Sequence, residues 1–278
     1  MISNVQNRVC QYNNSSSISK SKILSLIKIT YYRMFYYLYS FSIKCAHVSM
    51  TNSTWTYNHI MRICNSNKIV KVYPPCDITC FVNAQQMRTE RTNHWRLISI
   101  GQFRPEKDHM QQIEIMKILL DNKANVKLTV IGATRNKEDK KILRDLQDKV
   151  AFYKLGERVT FKENISRNDI VKYLAESDLG IHTMKFEHFG ISIVEMMASG
   201  CPVVAHNSAG AKNDIILGET TYGFLAESTG DYVDAITSCI RDESWFKTLQ
   251  GSAIKRAQQF SSEAFKQAFI NIFDKKNK

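Results

Sequence analysis

The chain has 278 residues, of which 44% are hydrophobic and 23% charged, and its formal net charge is +12. This composition is typical of an ordinary globular protein, and the length allows one large domain or two small ones. The seven cysteines are odd in number and include no CxxC pair. A disulfide framework and a zinc site are therefore disfavoured, and a reducing compartment is favoured.

Positive charge is concentrated at the start of the chain, because nine lysines and arginines but no acidic residue precede Asp77. Such a basic segment favours an anionic partner, either nucleic acid or a membrane surface. Residues 23–43, ILSLIKITYYRMFYYLYSFSI, predict a tyrosine-rich helix. Lys28 and Arg33 near its middle disfavour a helix that crosses a bilayer, so we expect one that lies at the membrane interface. A buried or half-buried helix of a soluble domain is the alternative.

The next elements are short. A strand within residues 46–54 leads to a helix that ends at Cys64, and a second strand covers 68–73. The PPCD turn at 74–77 ends this strand, since proline restricts its own backbone and that of the residue before it. The polar residues that follow, up to position 93, predict a linker.

From Trp95 onward, strands and helices alternate. The predicted strands are 95–101, 126–132, 158–162, 179–184, 201–206 and 223–226. The predicted helices are about 108–120, 137–154, 168–175, the one that contains Glu195, 230–241, 243–259 and 261–273. Apolar strands that alternate with helices indicate an α/β fold with a Rossmann-like, doubly wound parallel sheet.

This pattern divides the chain into four parts. Residues 94–258 form one complete Rossmann-like domain, which residues 78–93 link to the preceding part and which a C-terminal helix within 259–278 follows. Residues 1–77 are too few for a second domain of this kind. We interpret them as the remnant of an N-terminal domain whose beginning is absent.

Ligands of such sheets bind beyond the carboxyl ends of the strands. The turn GQFRPEKDH, at 101–109, places Arg104 and Lys107 there. A guanidinium fork and an ammonium point charge suit a diphosphate. The alternative is a solvated surface pair, which is favoured when this turn is considered alone.

A second turn, EHFGIS, opens the helix that contains Glu195. The free amides of Gly190, Ile191 and Ser192 could hold phosphate oxygens or sugar hydroxyls. Glu187 could then accept hydrogen bonds from a sugar and Glu195 from a ribose; the alternative for Glu195 is a helix whose acid faces water. No GxGxxG is present, which argues against a dinucleotide cofactor.

A third turn, HNSAGAKNDII at 206–216, predicts another helix start whose loop could close over a ligand. The alternative for Asn207, Ser208 and Gly210 is simple turn chemistry. His182 and His188 could touch a ligand, although a lone histidine is more often structural.

The stretch FEHFGISIVEMMASGCPVVAH, with its two glutamates separated by seven residues, resembles the signature of family-4 retaining glycosyltransferases. The resemblance extends over residues 95–243 and implies the nucleotide-sugar-binding half of the GT-B fold. VYPPCD, SIGQFRPEKDH, AHNSAGAKNDI, GFLA and the basic start are similar to one group within it. That group consists of GDP-mannose-dependent α-1,2-mannosyltransferases that extend the dolichyl-diphosphate oligosaccharide of N-glycan synthesis on the cytosolic face of the endoplasmic reticulum.

The resemblance implies roles for particular residues. Glu187, Arg104 and Lys107 form the implied catalytic set, in which the two cations neutralise the diphosphate of GDP. The implied donor contacts are Gly101, Arg104, Lys107, Glu187, His188, Phe189, Gly190, Ile191 and Glu195. Neither a metal nor any cofactor besides the donor GDP-mannose is expected.

Two positions depart from the family pattern. Gln102 stands where many members have arginine, and Arg104 could substitute because it lies two positions further along an extended backbone. PPCD replaces a more common PNGVD turn.

The implied partners are GDP-mannose, the dolichyl-diphosphate oligosaccharide, a membrane surface through residues 20–45 and other mannosyltransferases of the same pathway, but no nucleic acid. An N-terminal acceptor domain with a glycine-rich loop is not visible. We therefore expect these 278 residues alone to bind the donor weakly and to transfer little. The alternatives are another nucleotide-sugar transferase of the family, a nucleic-acid-binding protein and a non-catalytic membrane scaffold.

Overall fold

A computed structural model describes residues 21–88, 93–218 and 221–274. The start of the predicted basic segment, part of the predicted linker and the last four residues of the predicted C-terminal part lie outside these ranges. The contacts between Cα atoms divide the chain into a smaller unit, Met1–Thr51 with Thr56–Lys71, and a larger unit, Asn52–Trp55 with Val72–Lys278.

Helix α1 of the smaller unit is the tyrosine-rich helix that the sequence predicts. It covers Lys22–Cys45, and the side chain of Ser21 caps it by accepting a hydrogen bond from the amide of Leu24. The unit also contains β1 (Ser49–Thr51), β2 (Ile69–Lys71) and the part of α2 (Thr54–Cys64) that begins at Thr56, since Thr54 and Trp55 belong to the larger unit. The two strands pair in parallel, with Ser49 opposite Ile69.

Within the smaller unit, α1 is largely exposed. Its buried residues are Ser25 and Ile43, whereas large apolar side chains such as Ile23 (72% exposed) and Phe41 (68%) face outward. The prediction of a half-buried helix therefore does not describe α1 within this unit. In the three described ranges, no helix has both the length and the apolar character that a membrane crossing requires.

The larger unit contains a six-stranded parallel sheet in the order β5-β4-β3-β6-β7-β8. Its strands are β3 (Trp95–Ile100), β4 (Val126–Gly132), β5 (Val159–Glu163), β6 (Leu179–His182), β7 (Val203–His206) and β8 (Phe224–Ala226). Its helices are α3 (Thr79–Gln86), α4 (His109–Asp121), α5 (Lys137–Phe152), α6 (Arg167–Ala175), α7 (Ile191–Ala198), α8 (Thr229–Arg241), α9 (Glu243–Gln258) and α10 (Ser262–Asp274).

Helices cover both faces of this sheet because its central strands are apolar on both sides. Leu97 belongs to one buried cluster and its neighbour Ile98 belongs to another. Every residue of β6 and β7 is buried. The predicted doubly wound parallel sheet is therefore confirmed, and its strand ends agree with the predictions to within about two residues.

Two local predictions need correction. Residues 79–86 of the predicted linker form α3, which buries Phe81 and Ala84, so the segment is folded rather than a simple connection. The predicted helix start after His206 is instead a π-helical turn, Ala211–Ile215. Its Asp214 is fully buried. The Asp214 carboxylate accepts hydrogen bonds from the amide of Thr54 and the hydroxyl of Tyr73, each with a donor–acceptor distance of 3.0 Å.

Candidate functional site

The candidate site lies at the carboxyl edge of two neighbouring strands, β3 and β6. A 3₁₀ turn (Pro105–Lys107) follows β3, and Glu187 lies in the loop after β6. The Nζ of Lys107 donates a hydrogen bond of 2.6 Å to Oε2 of Glu187. The structure thus brings together two of the three residues of the implied catalytic set.

Lys107 is held from two directions. Its aliphatic stem runs over Gly101, where an added Cβ would lie 3.3 Å from Cδ of the lysine. Its carbonyl oxygen accepts a 2.8 Å hydrogen bond from the hydroxyl of Thr183, which in turn accepts one from Gln112. Sequence reasoning missed Thr183; the available signal was a hydroxyl directly after His182, at the carboxyl end of β6.

The Glu187 carboxylate stays ionised despite its burial. Only 17% of its side chain is exposed, and the Nε2 of His182 lies 3.4 Å from the same Oε2 that Lys107 contacts. Burial alone would raise the pKa of Glu187, but the His182 contact and the positive charge of Lys107 outweigh it and lower this pKa to about 2. Burial lowers the pKa of His182, so the imidazole is neutral at physiological pH.

The loop from Glu187 leads directly into α7. Gly190 has a φ of +107° at the start of the helix, a conformation that favours glycine. The first intrahelical hydrogen bond is donated by Ile193 to Gly190, so the amides of Ile191 and Ser192 precede it and point out of the helix. The side chain of Phe189 is buried, so the contact that the resemblance implies for this residue is one through its backbone amide.

The imidazole of His188 is exposed on this loop and stacks on Trp55, with ring centroids 4.7 Å apart and an interplanar angle of 20°. His188 directly follows Glu187 in the chain, so one ring of the stacked pair belongs to the loop that holds the carboxylate. Sequence reasoning did not connect Trp55 with the site, because the two rings are more than a hundred residues apart.

The loop after β7 forms hydrogen bonds with the loop that contains Glu187. The Ser208 hydroxyl accepts a 2.9 Å hydrogen bond from the amide of Phe186, and Gly210 donates one of 2.9 Å to the carbonyl of Glu187. A Cβ on Gly210 would lie 2.6 Å from the carbonyl oxygen of His188. Ser208 and Gly210 therefore contact the loop that contains Glu187, which goes beyond the simple turn chemistry that was the alternative.

Glu195 has a partner that the sequence did not reveal. Its carboxylate lies 3.8 Å from the Nη2 of Arg167 at the start of α6, and 16% of its side chain is exposed. Burial raises the pKa of Glu195, an effect that Arg167 opposes and Asp77 reinforces. Glu195 follows Ser192 by three positions, so both lie on one face of α7.

Arg104 is oriented differently from Lys107. Its backbone is extended, as predicted, with φ −129° and ψ 153°. Its Nη1 lies 3.9 Å from Oε1 of Glu106 on the same turn. This ion pair lies within the turn of Arg104, whereas the ion pair of Lys107 reaches Glu187.

A cavity of 350 Å³ opens beyond the ends of β3, β4 and β5. Its lining includes Gly101, Lys107, Gly132, Ala133, Asn164 and Ser192. The Asn164 side chain accepts a hydrogen bond from the amide of Thr134 (3.0 Å) and donates one to its hydroxyl (3.2 Å). The cavity volume is within the range of small-molecule sites, and Lys107 joins it to the Glu187 carboxylate. A ligand that spans both would present an anion to Lys107 and a hydroxyl-bearing group to Glu187.

Comparison with known proteins places this architecture in a family. Residues 83–267 match the family model described as glycosyl transferases group 1. Residues 1–64 match the model described as ALG11 mannosyltransferase N-terminus.

Curated relatives cover nearly the whole chain. The Mus musculus GDP-Man:Man(3)GlcNAc(2)-PP-Dol alpha-1,2-mannosyltransferase is 39% identical over 286 residues, which are 99% of this chain and 58% of the relative. The Caenorhabditis elegans protein of the same name is 36% identical over 251 residues, 87% of this chain and 53% of the relative. The chain thus spans somewhat more than half the length of these relatives.

Solved structures share the fold at low identity. A glycosyltransferase from Rickettsia africae has a TM-score of 0.76 at 18% identity, over 87% of this chain and 66% of the other. The Anabaena protein HepE in complex with UDP and glucose has a TM-score of 0.70 at 21% identity, over 82% of this chain and 63% of the other. Because the group 1 model covers more than half of the sequence, the chain belongs to the glycosyl transferases group 1 family.

Proposed function

We propose that this chain forms the donor-binding half of a GDP-mannose-dependent mannosyltransferase. The enzyme moves mannose in α-1,2 linkage, with retention, onto a dolichyl-diphosphate-linked oligosaccharide during N-glycan precursor synthesis. The names of the mouse and worm relatives support this substrate pair. Within the structure, the observation that carries the proposal is the Lys107–Glu187 pair at the edge of a nucleotide-sized cavity.

The diphosphate of the donor binds between Lys107 and the start of α7. Lys107 supplies a positive charge, and the outward amides of Ile191 and Ser192 supply hydrogen bonds together with the positive end of the helix dipole. Arg104 adds a second cation when its side chain leaves Glu106. These groups stabilise the negative charge that the leaving diphosphate gains, so the reaction requires no metal.

The mannose binds beside Glu187. Lys107 and His182 both approach Oε2, so within the described residues Oε1 is the oxygen left to accept from a sugar hydroxyl. A carboxylate whose pKa is about 2 also stabilises the positive charge that develops at the anomeric carbon as its bond to the diphosphate breaks. His188 lines this side of the site, and Glu195 accepts from the ribose hydroxyls.

The exposed helix α1 contacts a membrane surface. Lys22, Lys28, Arg33 and Lys44 lie on it without any acidic residue, among exposed tyrosine, phenylalanine and leucine side chains. Basic and aromatic side chains of this kind favour the interface of an anionic bilayer. We place this contact, through residues 20–45, on the cytosolic face of the endoplasmic reticulum membrane, where the dolichyl-linked acceptor is presented.

Calorimetric titration of the folded chain with nucleotides tests the donor site. We expect GDP to bind and UDP to bind more weakly, and K107M to lower GDP affinity by about tenfold or more, as for the loss of a charge-assisted contact. K117M is the matched control, because Lys117 pairs with Asp121 on the exposed face of α4. Stronger binding of UDP than of GDP would favour another nucleotide-sugar transferase of the family. If neither nucleotide gives heat, the proposal is wrong.

A further inference from the structure

Among the described residues, the buried imidazole of His182 has no hydrogen-bond partner. It is 3% exposed at the carboxyl end of β6, and its carbonyl accepts a 3.0 Å hydrogen bond from the hydroxyl of Tyr232. In the described part of the chain, neither of its ring nitrogens makes a hydrogen bond. Buried polar atoms without partners are rare because they lose their hydration without compensation, so this one requires an explanation.

The ring points at the group that the proposed reaction uses. Its Nε2 lies 3.4 Å from Oε2 of Glu187, while the Nζ of Lys107 lies 2.6 Å from the same oxygen. A carboxylate oxygen can only accept, so the imidazole can complete a hydrogen bond only when Nε2 carries the proton. A shift of a few tenths of an ångström would bring this contact to ordinary hydrogen-bond length.

The surroundings of His182 favour a neutral donor over a second cation. Burial, the largest effect, and the nearby charge of Lys107 both disfavour the imidazolium form, whereas Glu187 and the backbone of His182 favour it. A neutral Nε2–H supplies a hydrogen bond to Oε2 without adding a positive charge next to Lys107. Oε2 is thereby engaged from two sides, and the carboxylate has one remaining free direction, which is through Oε1.

We propose that His182 is a positioning residue that fixes the Glu187 carboxylate for the sugar of the donor. When a sugar hydroxyl engages Oε1, the carboxylate settles against His182 and the Nε2–H···Oε2 hydrogen bond is completed. The inference rests on the proposed function, and it predicts that His182 affects the binding of the sugar nucleotide but not that of the free nucleotide.

The first test measures the affinities for GDP and for GDP-mannose by calorimetry in the wild type, H182L and H182Q. H182L removes the Nε2–H group and leaves a side chain of similar volume, and H182Q places an amide nitrogen near the position of Nε2. We expect GDP affinity to stay within about threefold in both variants. GDP-mannose affinity should fall by about tenfold or more in H182L and recover to within about threefold of the wild type in H182Q, as for one hydrogen bond to a charged group.

The second test observes the imidazole directly. In protein labelled with ¹⁵N-histidine, the signal that H182Q removes identifies His182 among the seven histidines. We expect a neutral ring protonated at Nε2 and a change in its Nε2 shift on addition of GDP-mannose that GDP alone does not cause. A ring protonated at Nδ1 only, or one that responds equally to both ligands, would overturn the proposal.

The outcomes separate the two hypotheses. If wild-type protein binds neither ligand, the proposed function fails, while the tautomer of His182 in the free protein still tests the geometry. If wild-type protein binds both ligands and H182L weakens both equally, or neither, the function stands and the positioning role is wrong. The GDP-induced rise in melting temperature of H182L shows that the variant is folded.

Discussion

The amide nitrogen of Gly210 donates a 2.9 Å hydrogen bond to the carbonyl oxygen of Glu187. This contact joins the loop after β7 to the loop that holds the candidate catalytic carboxylate. Gly210 comes close because it lacks a side chain, since a Cβ would lie 2.5 Å from the carbonyl oxygen of Phe189. The position of Glu187 therefore depends on a residue 23 positions away.

We expect G210A to separate the two loops. The added methyl group cannot avoid backbone atoms, so the variant should lose about 2 kcal/mol of unfolding free energy and most of its affinity for GDP-mannose. Urea denaturation and calorimetry measure both effects. In G251A, where an added Cβ meets no atom within 4 Å, stability should be unchanged or slightly higher. If G210A and G251A have the same unfolding free energy and the same affinity for GDP-mannose, the close approach of Gly210 to the Glu187 loop is not required.

The Glu187 carboxylate gives the stability a defined pH dependence. Its pKa is lowered from 4.5 to about 2 in the folded protein, so its contribution is fully present above pH 4.5 and is lost as the pH falls toward 2. Between pH 6 and pH 3, the wild type should lose about 2 kcal/mol more than E187Q. Urea denaturation across this range tests the difference. E263Q, a change at an exposed residue of α10, should follow the wild type.

Asp214 anchors two segments through buried hydrogen bonds. D214N keeps the shape but presents an amide group to the donors of Thr54 and Tyr73, and it should cost about 2–4 kcal/mol of unfolding free energy. Y73F removes one donor and should cost about 1 kcal/mol. A D214N protein as stable as Y73F would show that the carboxylate is not essential to this contact.

Glu195 is expected to bind the ribose of the donor. Removal of its carboxylate in E195A should weaken GDP binding by about tenfold, as for hydrogen bonds to a charged acceptor. Calorimetry of E195A beside E263A checks this value, because Glu263 is largely exposed. Unchanged GDP affinity in E195A would assign Glu195 to its ion pair with Arg167 alone.

Helix α1 should bind anionic vesicles. Sedimentation with vesicles that contain phosphatidylserine should capture the chain, and reversal of two charges in K28E/R33E should weaken binding by at least about tenfold. K140E/K141E reverses the same number of exposed charges on α5 and should have little effect. Equal binding to neutral vesicles, or equal loss in both variants, would contradict an electrostatic contact through α1.

Much of the fold could be predicted because its central strands are apolar on both faces. β3 and β6 read as largely apolar runs, and each is followed by a polar turn, which placed Lys107 and Glu187 at one sheet edge. The α3 helix was missed because its buried face has few apolar residues, Phe81 and Ala84 among them, in a polar stretch. Short polar helices carry little periodic signal.

The contacts around the site could not be predicted in the same way. Arg167 reaches Glu195 and Ser208 reaches the amide of Phe186 because the sheet brings distant loops together. The sequence favours a structural role for His182, because it does not show that the ring nitrogens have no hydrogen-bond partner among the described residues. Spacing along the chain identifies side chains with suitable chemistry, whereas their partners depend on tertiary packing.

The side chain of Asn164 has a consequence for covalent modification. It begins an Asn-Ile-Ser sequon, yet its amide nitrogen donates to Thr134 and Glu163 at the wall of the cavity. Attachment of a glycan to this nitrogen would remove these hydrogen bonds and place a bulky polar group where β5 meets α6. A glycan on Asn164 is therefore incompatible with the hydrogen bonds that form this wall of the cavity in the folded chain.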